Sequence, residues 1–100
     1  MHRLLATIVI AGGFGLSSAA TAQTVVPGRL LASNCFQCHG TEGRPVAGLE
    51  ELAGESASSL YEEMLELRSD REPGIMNAHA RGYTDQQLLD LSIYFSRLPH

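Results

Sequence analysis

Cys35-Phe36-Gln37-Cys38-His39 contains both cysteines of this 100-residue chain, with a histidine directly after the second. Two thiols at that spacing followed by an imidazole are the attachment signature of a c-type haem. The thiols can bond to the two vinyl groups of one macrocycle, and His39 then sits beside the porphyrin plane, where its imidazole can ligate iron. Two other chemistries use Cys-x-x-Cys. A structural zinc site takes four ligands, and with no second cysteine pair it would need His79 or His100 at irregular spacing. A redox dithiol belongs in a βαβ context, whereas the residues around this motif read as helix. The motif therefore predicts one covalent haem c held through Cys35, Cys38 and His39.

Upstream of the motif, Pro27 suits the first turn of a helix. Leu31, Cys35 and Cys38 fall on one face of that helix, and Gly28 would let another helix come close. Further back, Met1-His2-Arg3 is a short basic segment, Leu4 to Leu16 is an apolar run loosened by Gly12, Gly13 and Gly15, and Ala20-Thr21-Ala22 is a small-residue cleavage site. This pattern predicts a signal peptide over residues 1–22, with Gln23 as the new N-terminus. The apolar run is short for a membrane span, and no cysteine near the cleavage site offers a lipid anchor. Export to the periplasm agrees with the motif, since c-type haem is attached outside the cytoplasm. Free thiols in an oxidising compartment tend to pair, and thioether formation would consume them here.

Residues 23–100 are enough for one domain. A domain this small buries a modest core and needs a staple, which a macrocycle held by two covalent bonds supplies. Six arginines, no lysine and eleven carboxylates leave these residues with a net charge near −5. That balance argues against nucleic acid and anionic membrane surfaces as partners and favours a protein with a basic patch.

Downstream, residues 40–48 hold three glycines and a proline and read as loop. Residues 49–54 read as a single helical turn stopped by Gly54. Ser58 to Ser69 is an amphipathic helix: Leu60, Met64 and Leu67 form a stripe with Tyr61 and Leu65 beside it, while Glu62, Glu63 and Glu66 face water. Ser56 or Ser58 would cap it, and Asp70-Arg71-Glu72-Pro73-Gly74 ends it. Residues 75–83 read as a connecting segment. Thr84 and Gln87 form a capping box that opens a last helix with Leu88, Leu91, Phe95 and Leu98 on one face, closed by Pro99. No stretch carries a strand signal, so the expected class is all-α.

The ligand on the second face of the iron separates an electron carrier from a ligand binder. Met64 lies on a helical apolar stripe and reads as core. Met76, behind Pro73-Gly74, is the leading candidate for the second axial ligand. His79, three residues on, is the rival, although an ordinary exposed histidine is the simpler reading. Tyr83, Tyr94 and Phe95 read as core that can reach the macrocycle edge. Arg44 and Arg81 can pair with haem propionates or lie in solvent.

Together these features resemble the class I cytochromes c, in particular the small monohaem domains of the c553 and c4 type, and most nearly the cytochrome subunits of flavocytochrome c sulfide dehydrogenases. The resemblance runs from Leu31 to Leu98. It rests on Cys38-His39-Gly40-Thr41-Glu42-Gly43, on Leu52-Ala53-Gly54, on the helix leading to Met76, and on Ala80-Arg81-Gly82-Tyr83-Thr84-Asp85. It implies thioethers at Cys35 and Cys38, axial His39 and Met76, and helices near the two ends that cross, with Gly28 or Ala32 meeting the last helix near Leu91 to Phe95. A middle helix and loops would wrap the haem. It also implies a backbone carbonyl just before Leu-Ala-Gly that accepts a hydrogen bond from the axial histidine. A proline often occupies that place, and Glu50 occupies it here. His79 takes a position where an aliphatic residue is expected, which allows for pH-dependent ligand exchange.

The function that follows is one-electron transfer by a carrier, not an enzyme in itself. The specific form is the haem subunit beside a sulfide-oxidising flavoprotein, since the chain has no flavin motif of its own. The alternative is a free monohaem shuttle between a quinol-oxidising membrane complex and an oxidase or reductase. A sensor or enzyme with an open iron would require that Met76 not ligate.

Overall fold

The computed structural model describes residues 7–19 and 25–100. Residues 7–19 carry no regular secondary structure, and their side chains are exposed. The basic start Met1-His2-Arg3, the expected cleavage site Ala20-Thr21-Ala22 and Gln23 lie outside the described residues.

Every regular element among the described residues is helical, in keeping with the all-α expectation. The chain enters a helical run made of α1 (Arg29–Ala32), a 3-10 turn (Ser33–Cys35) and α2 (Phe36–His39). The run tightens where Ser33 Oγ donates to the Leu30 carbonyl at 2.6 Å, a local bond that competes with the helical ladder. After a 3-10 turn at Thr41–Gly43 and a loop come α3 (Ala57–Ser69), α4 (Ile75–Arg81) and α5 (Asp85–Ser96). Helix α3 packs on α4 and α5, and α1 packs on α5.

The core is Ala32, Leu60, Met64, Ala80, Leu88, Leu91, Tyr94 and Phe95. Helix α5 supplies four of these, Leu88, Leu91 and Phe95 at the spacings its pattern predicted and Tyr94 beside them, and burying each large apolar side chain contributes about 1.5–3 kcal/mol. Phe95 also meets Phe36 edge-on, with ring centroids 6.3 Å apart, which ties the haem-motif helix to the last one.

The crossing of the first and last helices depends on Gly28. Its φ of +79° is left-handed, and a Cβ there would run into the Asp90 carbonyl and lie 3.0 Å from Tyr94 Cβ. The close approach expected of Gly28 is therefore to α5, beginning one residue earlier than Leu91.

The caps follow the sequence. Ser56 Oγ accepts from Ser59 N at 3.2 Å, so α3 starts at Ala57. Thr84 and Gln87 complete a reciprocal capping box.

Three expectations need correction. Residues 75–83 are not merely a connection, because Ile75–Arg81 is helix α4. It forms because Ala80 is fully buried and because Asn77 Nδ2 donates to the Leu67 carbonyl at 3.0 Å, tertiary contacts that local pattern does not reveal. Residues 49–54 form no helix: the amides of Leu52 and Ala53 donate to the Gly43 carbonyl at 2.9 and 3.3 Å, so the backbone is committed to the neighbouring loop. Helix α5 ends at Ser96, before Pro99. There the amides of Arg97 and Leu98 reach back three residues, to the carbonyls of Tyr94 and Phe95, in the tightened last turn common at helix ends.

Candidate functional site

At the end of the α1–α2 run, Cys35 and His39 are half-buried and Cys38 is exposed, and neither thiol is in a disulfide. All three line a cavity of about 320 Å³ with Met64 of α3, Met76 and His79 of α4, and Tyr83. A second cavity, of about 230 Å³, shares Cys35, His39, Met64 and Met76 and continues over Leu52, Leu60, Leu67, Leu91 and Phe95, with Glu50 and Glu63 in its wall. The two form one largely apolar cleft in the size range of cofactor sites, about 300–1,000 Å³.

The chemistry of the cleft separates the readings of the motif. Burial pushes the Cys35 thiol up from its ordinary value, whereas a reactive dithiol needs a lowered one. Among the described residues no group of three or more His, Cys, Asp and Glu is arranged to hold a metal ion. Two free thiols beside an imidazole, a thioether on a neighbouring helix and apolar walls are what a covalently attached macrocycle requires. The residues present fit haem.

The orientation of His39 comes from the loop. Its Nδ1 lies 3.4 Å from the Glu50 carbonyl, a long hydrogen bond in which Nδ1–H donates and Nε2 keeps its lone pair for a metal. The acceptor is backbone, so glutamate serves where proline often stands. That loop is anchored at Gly43, whose φ is +73° and whose absent Cβ would sit 2.9 Å from the Phe95 ring.

Helix α4 carries Met76 in its first turn. Asn77, 6 % exposed, fixes that turn to the end of α3. Arg81 Nη2 donates to the carbonyls of Asp70 and Glu72 at 2.7 and 3.0 Å. Tyr83 Oη donates to the Leu31 carbonyl at 3.1 Å and accepts from Asn34 Nδ2 at 3.0 Å, joining the haem-motif helix to the segment that opens α5.

Arg81 and Arg44 are both exposed, in keeping with the solvent-facing alternative; Arg81 Nη2 donates to those two carbonyls and Arg44 Nη2 to the Pro99 carbonyl at 2.7 Å. Tyr94 is core, as read, and lines neither cavity, and its buried hydroxyl has no partner among the described residues. Met64 is core, as read, and also part of the cleft wall. The His100 ring packs over Gly54. Sequence reasoning missed Asn34, Leu49 and Ile75 as lining residues and Asn77 as the anchor of α4. Only Ile75 left a trace, as an apolar neighbour of Met76.

A small helical domain that closes a two-thiol, one-imidazole cleft with a loop carbonyl behind the imidazole defines a class of covalent haem proteins. The family model for cytochrome c matches residues 25–99, and the chain belongs to that family, as a class I cytochrome c with covalently bound haem c. Among characterised proteins it is 27 % identical to the cytochrome subunit of sulfide dehydrogenase from Chlorobaculum tepidum, over 86 % of this chain and 84 % of that protein. It is 31 % identical to cytochrome c-554(548) of Halomonas halodenitrificans, over 62 % of this chain and 81 % of the relative. It is 29 % identical to cytochrome c4 of Thiocapsa roseopersicina, over 65 % of this chain but only 34 % of that longer protein. No helix among the described residues is long and apolar enough to cross a membrane.

Proposed function

We propose that residues 1–22 are removed on export and that residues 23–100 work in the periplasm as a one-electron carrier. In this reading Cys35 and Cys38 form the thioethers, and His39 and Met76 are the axial ligands. The convergence of these four side chains on one apolar cleft is the observation that supports it. When bound, the haem supplies reversible one-electron chemistry between ferric and ferrous iron. The Glu50 carbonyl holds the His39 ring in the tautomer that offers Nε2. Met76 offers a thioether, which raises the reduction potential relative to a second imidazole. The apolar walls from α3 and α5 exclude water.

The partner in this reading is a sulfide-oxidising flavoprotein, which would carry the catalysis while this chain accepts its electrons. The support is the match to a sulfide dehydrogenase cytochrome subunit along most of both chains. A free shuttle to a membrane respiratory complex is the second reading, supported by the likeness to cytochrome c-554(548), a chain of similar length. Two measurements test the proposal. Mass spectrometry of the exported protein should show a chain beginning at Gln23 with one added haem, and a chain without haem refutes the site. Purification from periplasm should yield a complex absorbing as both haem and flavin, whereas a haem monomer alone decides for the shuttle.

A further inference from the structure

We propose that His79 is a reserve axial ligand, built into the same wall as Met76, that takes the iron position whenever the Met76 thioether leaves it and so keeps the site closed to small molecules. The inference rests on the axial role proposed above for Met76. Residues three apart on a helix share a face, and Met76 and His79 both line the cavity that holds Cys38 and His39. The side-chain bonds that fasten α4 belong to Asn77 and Arg81, and none among the described residues uses the His79 ring. Both of its nitrogens are therefore uncommitted. Its exposed position leaves the ring room to turn.

Helix α4 is itself suited to such an exchange. It has seven residues between Gly74 and Gly82 and no side-chain cap at its start. A three-residue step along a helix is about 4.5 Å, so release of the Asn77 and Arg81 bonds would let this short element move and bring the second ligand forward. In the exchange a neutral imidazole lone pair replaces a neutral thioether, with no proton or electron transferred. The bonds of Asn77 to the end of α3 and of Arg81 to the segment after it hold the register in which Met76 comes first.

The test uses ferric holoprotein at mildly alkaline pH. Wild type should show the near-infrared sulfur-to-iron charge-transfer band. Met76→Ala should lose that band yet remain six-coordinate and low-spin, with the electron paramagnetic resonance of two imidazoles, independent of protein concentration. Met76→Ala/His79→Ala should become high-spin. A tethered group acts at roughly millimolar effective concentration, so free imidazole should bind the double variant at least about tenfold more readily than the single one. Met76→Val, which fills more of the emptied space, replaces the alanine variant if circular dichroism shows that one unfolded. A single variant as high-spin and as open to imidazole as the double variant overturns the inference while leaving Met76 in place. A wild type without the sulfur band overturns the Met76 assignment itself.

Discussion

At the scale of single residues, the site depends on a backbone group as well as on side chains. His39 is oriented by the carbonyl of Glu50, not by its carboxylate. Glu50→Ala should therefore leave the His39 Nδ1 proton slow to exchange in nuclear magnetic resonance spectra, and fast exchange would show that the side chain does the work. Glu55 behaves differently. Partial burial, then the negative charges of Glu50 and Glu63, push its carboxyl up from the ordinary value. A carboxyl raised in the folded state binds its proton more tightly there than in the unfolded chain. Its contribution to stability accordingly falls as pH rises from the ordinary value to the raised one, and stays lower above that window. Glu55→Gln should melt higher than wild type at about pH 7, with the difference vanishing near pH 3, below both values. Thermal melts at the two pH values check this.

At the scale of elements, the crossing of α1 and α5 is the contact most exposed to a single atom. Gly28→Ala meets the Asp90 carbonyl and forces a left-handed residue to carry a Cβ. It should cost about 1–3 kcal/mol, read from the midpoint of denaturant unfolding of the holoprotein, and an unchanged midpoint would mean the helices separate without penalty. The elements also show where sequence pattern succeeds. Helices α3 and α5 are long enough for apolar periodicity to be read, and their caps are local hydrogen bonds between residues three apart. Helix α4 has seven residues, too few for a period, and is held by bonds from Asn77 to residue 67 and from Arg81 to residues 70 and 72. The stretch 49–54 erred the other way: it has helical composition, but its amides are claimed by Gly43.

At the scale of the whole molecule, the five α-helices among the described residues enclose a core of eight buried apolar residues, and the cleft opens directly against it. A domain this small seldom folds firmly on its core alone. The haem-free protein, made as Cys35→Ser/Cys38→Ser, should lack native-like far-ultraviolet circular dichroism and a cooperative melt, and a sharp melt would show that the helices pack without the macrocycle. The net negative charge belongs to this scale as well. It gives no information about the fold, but it favours partners with a basic face, whose association would weaken as salt rises.

Sequence alone determined the all-α class, the haem motif and the two long helices with their caps, and it offered Met76 and His79 as competing candidates for the second ligand. All of these depend on residue type and short-range spacing, and chemistry of that kind is written along the chain. The tertiary structure alone decided that Asn77 anchors α4, that Arg44 and Arg81 donate to backbone carbonyls, and that His79 shares a wall with Met76. These depend on which distant groups meet once helices pack, and a backbone carbonyl has the same chemistry at every position until folding gives it a neighbour.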